Sequence, residues 1–362
     1  MLNELKISLK QKELDCFLIT HTNNIFYLTG YDGFSHEERE AVALITKTHN
    51  FLLTDKRYLY ELRGLKDFKL IEISASTPFP KAIQNLVLEN NLLFAGFEEE
   101  NLSFSEYKKF RKIFKKFVPL SGIIEPLREI KKIYEIKNVK KACKISDLGF
   151  NYILKQLKSN VSEIEIADKL EIFLKENKAE NAFKPIIAFG KNSAVPHHLN
   201  SDKKLKTGDV VLLDFGAKVN GYCSDMTRTV FFGMPDPKLS EIYNTVLNAQ
   251  KAAVNALRKS LILHHKSGIK ADYIDKVSRD YIISKGFPSI PHSLGHGIGL
   301  EVHEPPTLSP NSKSLLKSGM IFSIEPGIYL DGFGGVRIED LFLIKDNHLE
   351  KITHSTSGII RL

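Results

Sequence analysis

A chain of 362 residues, 43% apolar and 26% charged, has the composition of an ordinary soluble globular protein, with room for two domains of unequal size. Those proportions exclude a disordered, collagen-like or disulfide-scaffolded chain, and no apolar run reaches the roughly 18 residues that a membrane-spanning helix needs. Lys and Arg (51) outnumber Asp and Glu (43) for a net charge of +8, but Lys131, Lys132, Lys137, Lys140, Lys141 and Lys144 fall along one helical stretch as a solvated face, so neither nucleic acid nor a membrane is expected as a partner.

The opening MLNELKISLKQKELDCFLIT scatters charges and lacks the apolar segment of a secretory signal. Leu2, Leu5 and Leu9 recur at helical spacing, and Cys16–Thr20, Ala41–Thr46, Phe51–Thr54, Leu70–Ile73 and Leu92–Phe97 read as strands. Ser103-Phe-Ser-Glu106 is a capping box, opening a helix expected to reach about Lys116. This alternation predicts a small α/β domain with a parallel or mixed sheet. Ser121-Gly122 and Pro126 then punctuate the chain, which sets the expected domains at 1–123 and 124–362.

Beyond Pro126 a long helix carries Ile145, Leu148 and Tyr152 on one face, and a second capping box, Ser162-Glu-Ile-Glu165, starts a helix to about Asn177. Residues 210–232 read as a β-hairpin turning at Val219-Asn-Gly221, two helices are expected near 238–259 and 271–285, and the remainder is strand and glycine-rich turn. Helices in one block against antiparallel hairpins in another predict an α+β catalytic domain.

The chemistry lies in that second domain. Asp214 ends an apolar strand, and Asp225 lies on the returning strand, where a hairpin would set the two side by side. His296 is flanked by Gly295, Gly297 and Gly299; Glu325 and Glu339 each interrupt an apolar strand. Singly, each residue has a plain structural explanation, as a cap, a salt-bridge partner or a packed histidine. Together they place four carboxylates and an imidazole where an unpaired charge is costly, a donor set suited to two hard-to-borderline divalent cations such as manganese or cobalt. Cys16, Cys143 and Cys223 form no metal-binding spacing and read as reduced thiols of a cytoplasmic protein. Alternation would turn Cys223 toward Asp225, although a buried inert thiol is the plainer reading. His264-His265 and His354 read as surface residues, and Tyr329 and Phe231 as packing residues.

The stretch His292-Ser-Leu-Gly-His296-Gly-Ile-Gly-Leu-Glu-Val-His303-Glu304 resembles the signature shared by aminopeptidase P and prolidase. The order Asp214, Asp225, His296, Glu325, Glu339 resembles the ligand set of the pita-bread metallopeptidases, and residues 1–125, with Asn24-Ile-Phe-Tyr-Leu-Thr-Gly30, are similar to the N-terminal domain of the creatinase and prolidase group. The resemblance implies a pita-bread catalytic domain behind a smaller α/β domain, in a homodimer. It implies two divalent metal ions, manganese first with cobalt or zinc as alternatives. Asp214 would chelate one, Asp225 and Glu339 bridge both, and His296 and Glu325 complete the second. A hydroxide shared by the metals would be the nucleophile, and Glu325 the base that passes its proton to the leaving nitrogen.

By the same resemblance His197, His292 and His303 would stabilise the oxyanion and orient the peptide, while His198 is left out. Arg337, two residues before Glu339 and so expected on the same strand face, would support the cluster through an ion pair. Creatinase and the non-enzymatic binding modules of this fold lack ligands that are all present here. His292, His303 and the N-terminal domain favour Xaa-Pro peptidases over methionine aminopeptidases. Prolidases commonly hold the substrate carboxylate with an arginine before the fourth ligand, yet residues 304–319 contain Lys313 and Lys317 and no arginine. That departure favours an Xaa-Pro aminopeptidase, with Xaa-Pro dipeptidase as the alternative.

Overall fold

Runs of β-branched and aromatic residues in the first 128 positions assemble into a six-stranded mixed sheet. The structure, a computed structural model, describes residues 1–264 and 268–362. In sheet order the strands are Lys69–Ile73, Asn50–Asp55, Ala41–Thr46, Cys16–Ile19, Phe94–Glu98 and Lys116–Leu120. Cys16–Ile19 is buried throughout, pairing antiparallel with Ala41–Thr46 and parallel with Phe94–Glu98, which is why it reads as an unbroken apolar run. The capping box forms at Ser103, but its helix is only Phe104–Phe110, and Lys116–Leu120 departs as a strand. Pro119 is tolerated there because this strand is an edge. Asn24 donates to Glu98 Oε1 at 2.7 Å and to Glu125 Oε1 at 2.6 Å, and Arg128 donates to Asn24 Oδ1 at 2.9 Å. These bonds hold residues 125–128 in the first unit, so the chain divides between Arg128 and Glu129, past the punctuation at Ser121-Gly122.

The second unit, Glu129–Leu362, repeats one plan. The helices Ile133–Leu154 and Glu163–Glu176 precede three antiparallel strands, Ile186–Phe189, Val210–Phe215 and Met226–Phe231. The helices Pro237–His264 and Ala271–Ser284 then precede Gly295–Gly297, Ile321–Ile324 and Asp340–Lys345, a sheet widened by Glu304–Leu308 and His348–Lys351. Helices and strands are thus not segregated into two blocks; each sheet has its own helix pair and its own apolar core. On Ile133–Leu154 the buried stripe runs through Ala142, Ile145, Gly149 and Ile153, at three- and four-residue steps, leaving Leu148 46% exposed rather than on the inner face. No described helix is long and apolar enough to cross a membrane.

Candidate metal centre and its cavity

The hairpin over 210–232 forms with a break that decides where its acids point. Val210–Phe215 pairs with Met226–Phe231, while Ala217–Val219 pairs with Tyr222–Cys223 in a separate small sheet. Asn220 (φ 51°) and Gly221 (φ 80°) make the turn with two successive left-handed residues, as a tight hairpin requires. At the break the backbones nearly touch: a Cβ on Gly216 would stand 1.8 Å from the Ser224 carbonyl oxygen. Asp225 lies in this interruption, outside the ladder. Thr227, and not Asp225, faces Asp214 across the strands. The expected side-by-side pair is therefore replaced by an acid on a strand and an acid at a strand break.

The other ligands of the expected set sit in comparable places. His296 is on Gly295–Gly297, where a Cβ on Gly295 would meet the Ser323 carbonyl oxygen at 2.0 Å, so only glycine lets these strands close around the imidazole. Glu325 follows Ile321–Ile324 immediately, its N–H bonded to the Leu294 carbonyl at 2.8 Å. Glu339 falls between Gly334–Arg337 and Asp340–Lys345, its N–H bonded to the Thr227 carbonyl at 3.1 Å. Arg337 ends its strand and does not share a regular face with Glu339.

Ligand-type atoms of Asp225, His296 and Glu339 lie within 4.8 Å of one another. His296 Nε2 is 3.1 Å from Glu325 Oε1 and 3.7 Å from Asp225 Oδ2. His296 Nδ1 donates to the Gly297 carbonyl at 3.1 Å and Nε2 faces the carboxylates; burial would lower the imidazole pKa, but the hydrogen bond and charge of Glu325 raise it to about 9, so without metal both nitrogens carry hydrogen. Burial, then the charges of Glu339 and Asp214, push the Asp225 carboxyl well above its usual range. Burial and then Glu325 and Asp214 do the same to Glu339. Burial also raises Asp214 in spite of Arg337. Burial opposes ionisation of Glu325 too, but the hydrogen bond and charge of His296 prevail and hold it low, at about 2.

Asp214 Oδ1, Asp225 Oδ1 and Glu339 Oε1 are buried with no hydrogen-bond partner. Orphaned carboxylate oxygens converging from two sheets are an arrangement that protein alone leaves unfavourable and that divalent cations neutralise. The donor set fits such cations.

Around this cluster lies a cavity of about 610 Å³. All nine residues singled out from the sequence line it: Asp214, Asp225, His296, Glu325 and Glu339 together with His197, His292, His303 and Arg337. Arg337 donates to Asp214 Oδ2 at 2.5 Å, to the Tyr329 hydroxyl at 2.8 Å and to Thr227 Oγ1 at 3.0 Å. The His303 ring meets the His296 ring edge-on, centroids 4.3 Å apart. Burial, and then the neighbouring His296, lowers the His303 pKa; burial likewise lowers that of His292.

Tyr329 is more than a packing residue. Its hydroxyl accepts from Arg337 and lies 3.0 Å from His292 Nε2, and because His292 Nδ1 is 2.8 Å from the Ser293 carbonyl, Nε2 is the acceptor of the tyrosine hydrogen. Burial pushes the phenol up to about 12, keeping it protonated. Gly327 pairs with Arg337 across the hairpin, so Tyr329 is the diagonal same-face neighbour of Arg337, a relation visible only once the hairpin is known. His198, set aside in the sequence, is bonded through Nε2 to the fully buried Glu163 at 2.8 Å, and Glu163 also accepts from Phe189, Asn192 and Ser201. This carboxylate therefore clamps the loop that carries His197. Phe183, Ile186, Pro196 and Val302 form an apolar wall that the sequence did not single out.

Cys223 is buried beside the Leu300 carbonyl, does not line the cavity, and burial raises its thiol to about 12, an inert thiol. Phe231 is fully buried against Tyr243, and His354 is exposed. The expectation for His264-His265 falls outside the described residues and side chains.

The sequence profile of the creatinase/prolidase N-terminal domain matches residues 1–130, and that of metallopeptidase family M24 matches residues 137–346. An Xaa-Pro dipeptidase from Pyrococcus horikoshii is 36% identical, the match covering 97% of this chain and 95% of that protein. The solved structure of an Xaa-Pro dipeptidase from Bacillus anthracis superimposes with a TM-score of 0.92 at 37% identity, over 100% of this chain and 99% of that one. An X-Pro aminopeptidase from Thermotoga maritima gives a TM-score of 0.85 at 33% identity, over 97% and 98%.

Proposed function

This chain belongs to metallopeptidase family M24, and we propose that it is an Xaa-Pro dipeptidase, hydrolysing the bond between any first residue and a C-terminal proline. The observation that carries the reading is the convergence of four carboxylates and one imidazole, three of their oxygens orphaned, at the end of a cavity with an apolar wall. A volume of about 610 Å³ suits a dipeptide, and Phe183, Ile186 and Val302 offer the pyrrolidine ring a surface free of hydrogen-bond demands. The missing arginine between Glu304 and Gly319 points instead to an aminopeptidase, but full-length relatives named Xaa-Pro dipeptidase favour the dipeptidase. The aminopeptidase reading stands second, supported by that missing arginine and by likeness to the Thermotoga maritima structure.

In this reading Asp214, Asp225, His296, Glu325 and Glu339 hold two divalent cations, manganese in the first instance, with cobalt or zinc suiting the same donors. When bound, the cations supply Lewis-acid polarisation of the scissile carbonyl and acidify water. Glu325, whose carboxylate lines the cavity beside His296, accepts the proton of the attacking water. The prolyl nitrogen bears no hydrogen and leaves only when protonated, so Glu325 delivers that proton to it. His303 and His292, held neutral, and His197 surround the carbonyl; an N–H from His303 or His197 stabilises the oxyanion, while Tyr329 fixes His292. Three buried free thiols, Cys16, Cys143 and Cys223, support a cytoplasmic site of action, and the family resemblance supports a homodimer.

The test offers the purified, manganese-loaded protein Xaa-Pro dipeptides and Xaa-Pro-Yaa tripeptides side by side. Preference for dipeptides is expected. Preference for tripeptides transfers the protein to the second reading, and inactivity on both refutes each.

A further inference from the structure

A dipeptide brings its own negative charge to a site where four carboxylates already match the charge of two divalent cations. Its α-carboxylate lies two bonds beyond the scissile amide nitrogen, within about 4 Å of the carbonyl under attack. It therefore needs a cation close to four protein carboxylates, and one that those carboxylates have not already claimed.

The cavity offers few. Arg337 is committed to Asp214, Tyr329 and Thr227. Residues 304–319 contribute only Thr307 to the lining; Lys313 and Lys317 do not reach it. Lys184 does line it, is exposed, and among the described residues has no carboxylate or hydrogen-bond partner. Its position follows from the chain. Pro185 biases the preceding residue to an extended backbone, and Ile186, two residues on, pairs with Asp214 across the sheet. Alternation then sends the side chains of Lys184 and Ile186 to the same side, the cavity side, one above the other. Lys184 thus lines the cavity beside Phe183 and Ile186, the apolar wall where the proline ring would rest.

Resting on the dipeptidase reading, we infer that Lys184 holds the substrate's free α-carboxylate and is the residue that makes a C-terminal proline the preferred substrate. It takes the role of the arginine that residues 304–319 lack, from a different element. A lone ammonium is a point charge without the fork of a guanidinium, so discrimination rests on charge more than on shape.

The experiment measures steady-state kinetics of the manganese-loaded full chain, its Lys184→Met and its Lys184→Arg variants, on alanyl-proline, alanyl-prolinamide and an alanyl-prolyl tripeptide. For the dipeptide Lys184→Met should raise KM by about ten- to a hundredfold, the loss of one charge-assisted contact, with kcat nearly unchanged. The amide, which carries no carboxylate, should show the same KM in wild type and variant, which also reports that the variant is folded. Lys184→Arg should restore most of the dipeptide affinity. A Lys184→Met enzyme that still prefers the free acid over the amide as wild type does overturns the assignment while the dipeptidase reading stands. Wild-type preference for the tripeptide overturns both.

Discussion

Thr227 lies directly across the ladder from Asp214, and its hydroxyl donates to Glu339 at 2.7 Å while accepting from Arg337 Nε at 3.0 Å. One threonine on the first sheet thus orients an acid of the second, and Arg337 reaches back to Asp214 from the other side.

Arg337 is the cation that makes buried Asp214 bearable, so Arg337→Met should destabilise the metal-free protein by about 3–5 kcal/mol in urea unfolding, the cost of breaking a buried ion pair. Lysine should not rescue it, since one ammonium cannot serve Asp214, Tyr329 and Thr227 in the same geometry. A Lys variant with wild-type stability and activity would count against this account.

Asp225→Asn keeps the shape and removes one of the crowded charges. Turnover should vanish and manganese stoichiometry fall in calorimetric titration. The metal-free melting temperature should rise, because burial and the charges of Glu339, Asp214 and Glu325 outweigh the cationic neighbours of the wild-type carboxyl. Chelation should accordingly lower wild-type stability, by about 2.7 kcal/mol relative to protein saturated at a hundredfold its dissociation constant.

Tyr329→Phe removes the hydroxyl between Arg337 and His292 and leaves the ring. The value of kcat/KM should drop about ten- to a hundredfold as the buried His292 nitrogen loses its donor, with the melting temperature shifted by only a few degrees. An unchanged rate would return Tyr329 to a packing role.

Glu163 is buried, which alone would raise its pKa, but Ser201, His198, Phe189 and Asn192 hold the carboxylate below its ordinary value. A carboxylate held low stabilises the fold above the unfolded-chain value of about 4.3 and loses that contribution as pH falls through its folded value. Glu163→Gln should therefore flatten the acid limb of the stability curve. It should also lower kcat, because the loop bearing His197 loses its clamp.

The parts legible in the sequence are those whose chemistry is local or whose environment is stated by neighbours. The capping boxes at Ser103 and Ser162, the Asn220-Gly221 turn, and acids interrupting apolar strands all belong to this kind. Alternation assumes an unbroken strand and so sets Asp225 opposite Asp214, whereas the break at Gly216 and Ser224 arises from two backbones meeting in space. The strand Lys116–Leu120 was hidden by a lysine-rich pattern that reads equally well as helix. Tyr329, Glu163 and Lys184 owe their places to partners distant in sequence: a diagonal across a hairpin, a clamped loop and a cavity rim.

The doubled plan of the second unit has a mechanical corollary. Asp214 lies on one helix-backed sheet and Asp225 at the break beside it, whereas His296 lies on the other sheet with Glu325 and Glu339 at the ends of its strands. Any ion seated among them rivets the two lobes together, so occupancy and cohesion rise and fall as one quantity. Loaded enzyme should come apart in a single cooperative event, whereas chelated enzyme is free to let one lobe loosen ahead of its twin, and amide exchange resolved along the chain would display that asymmetry.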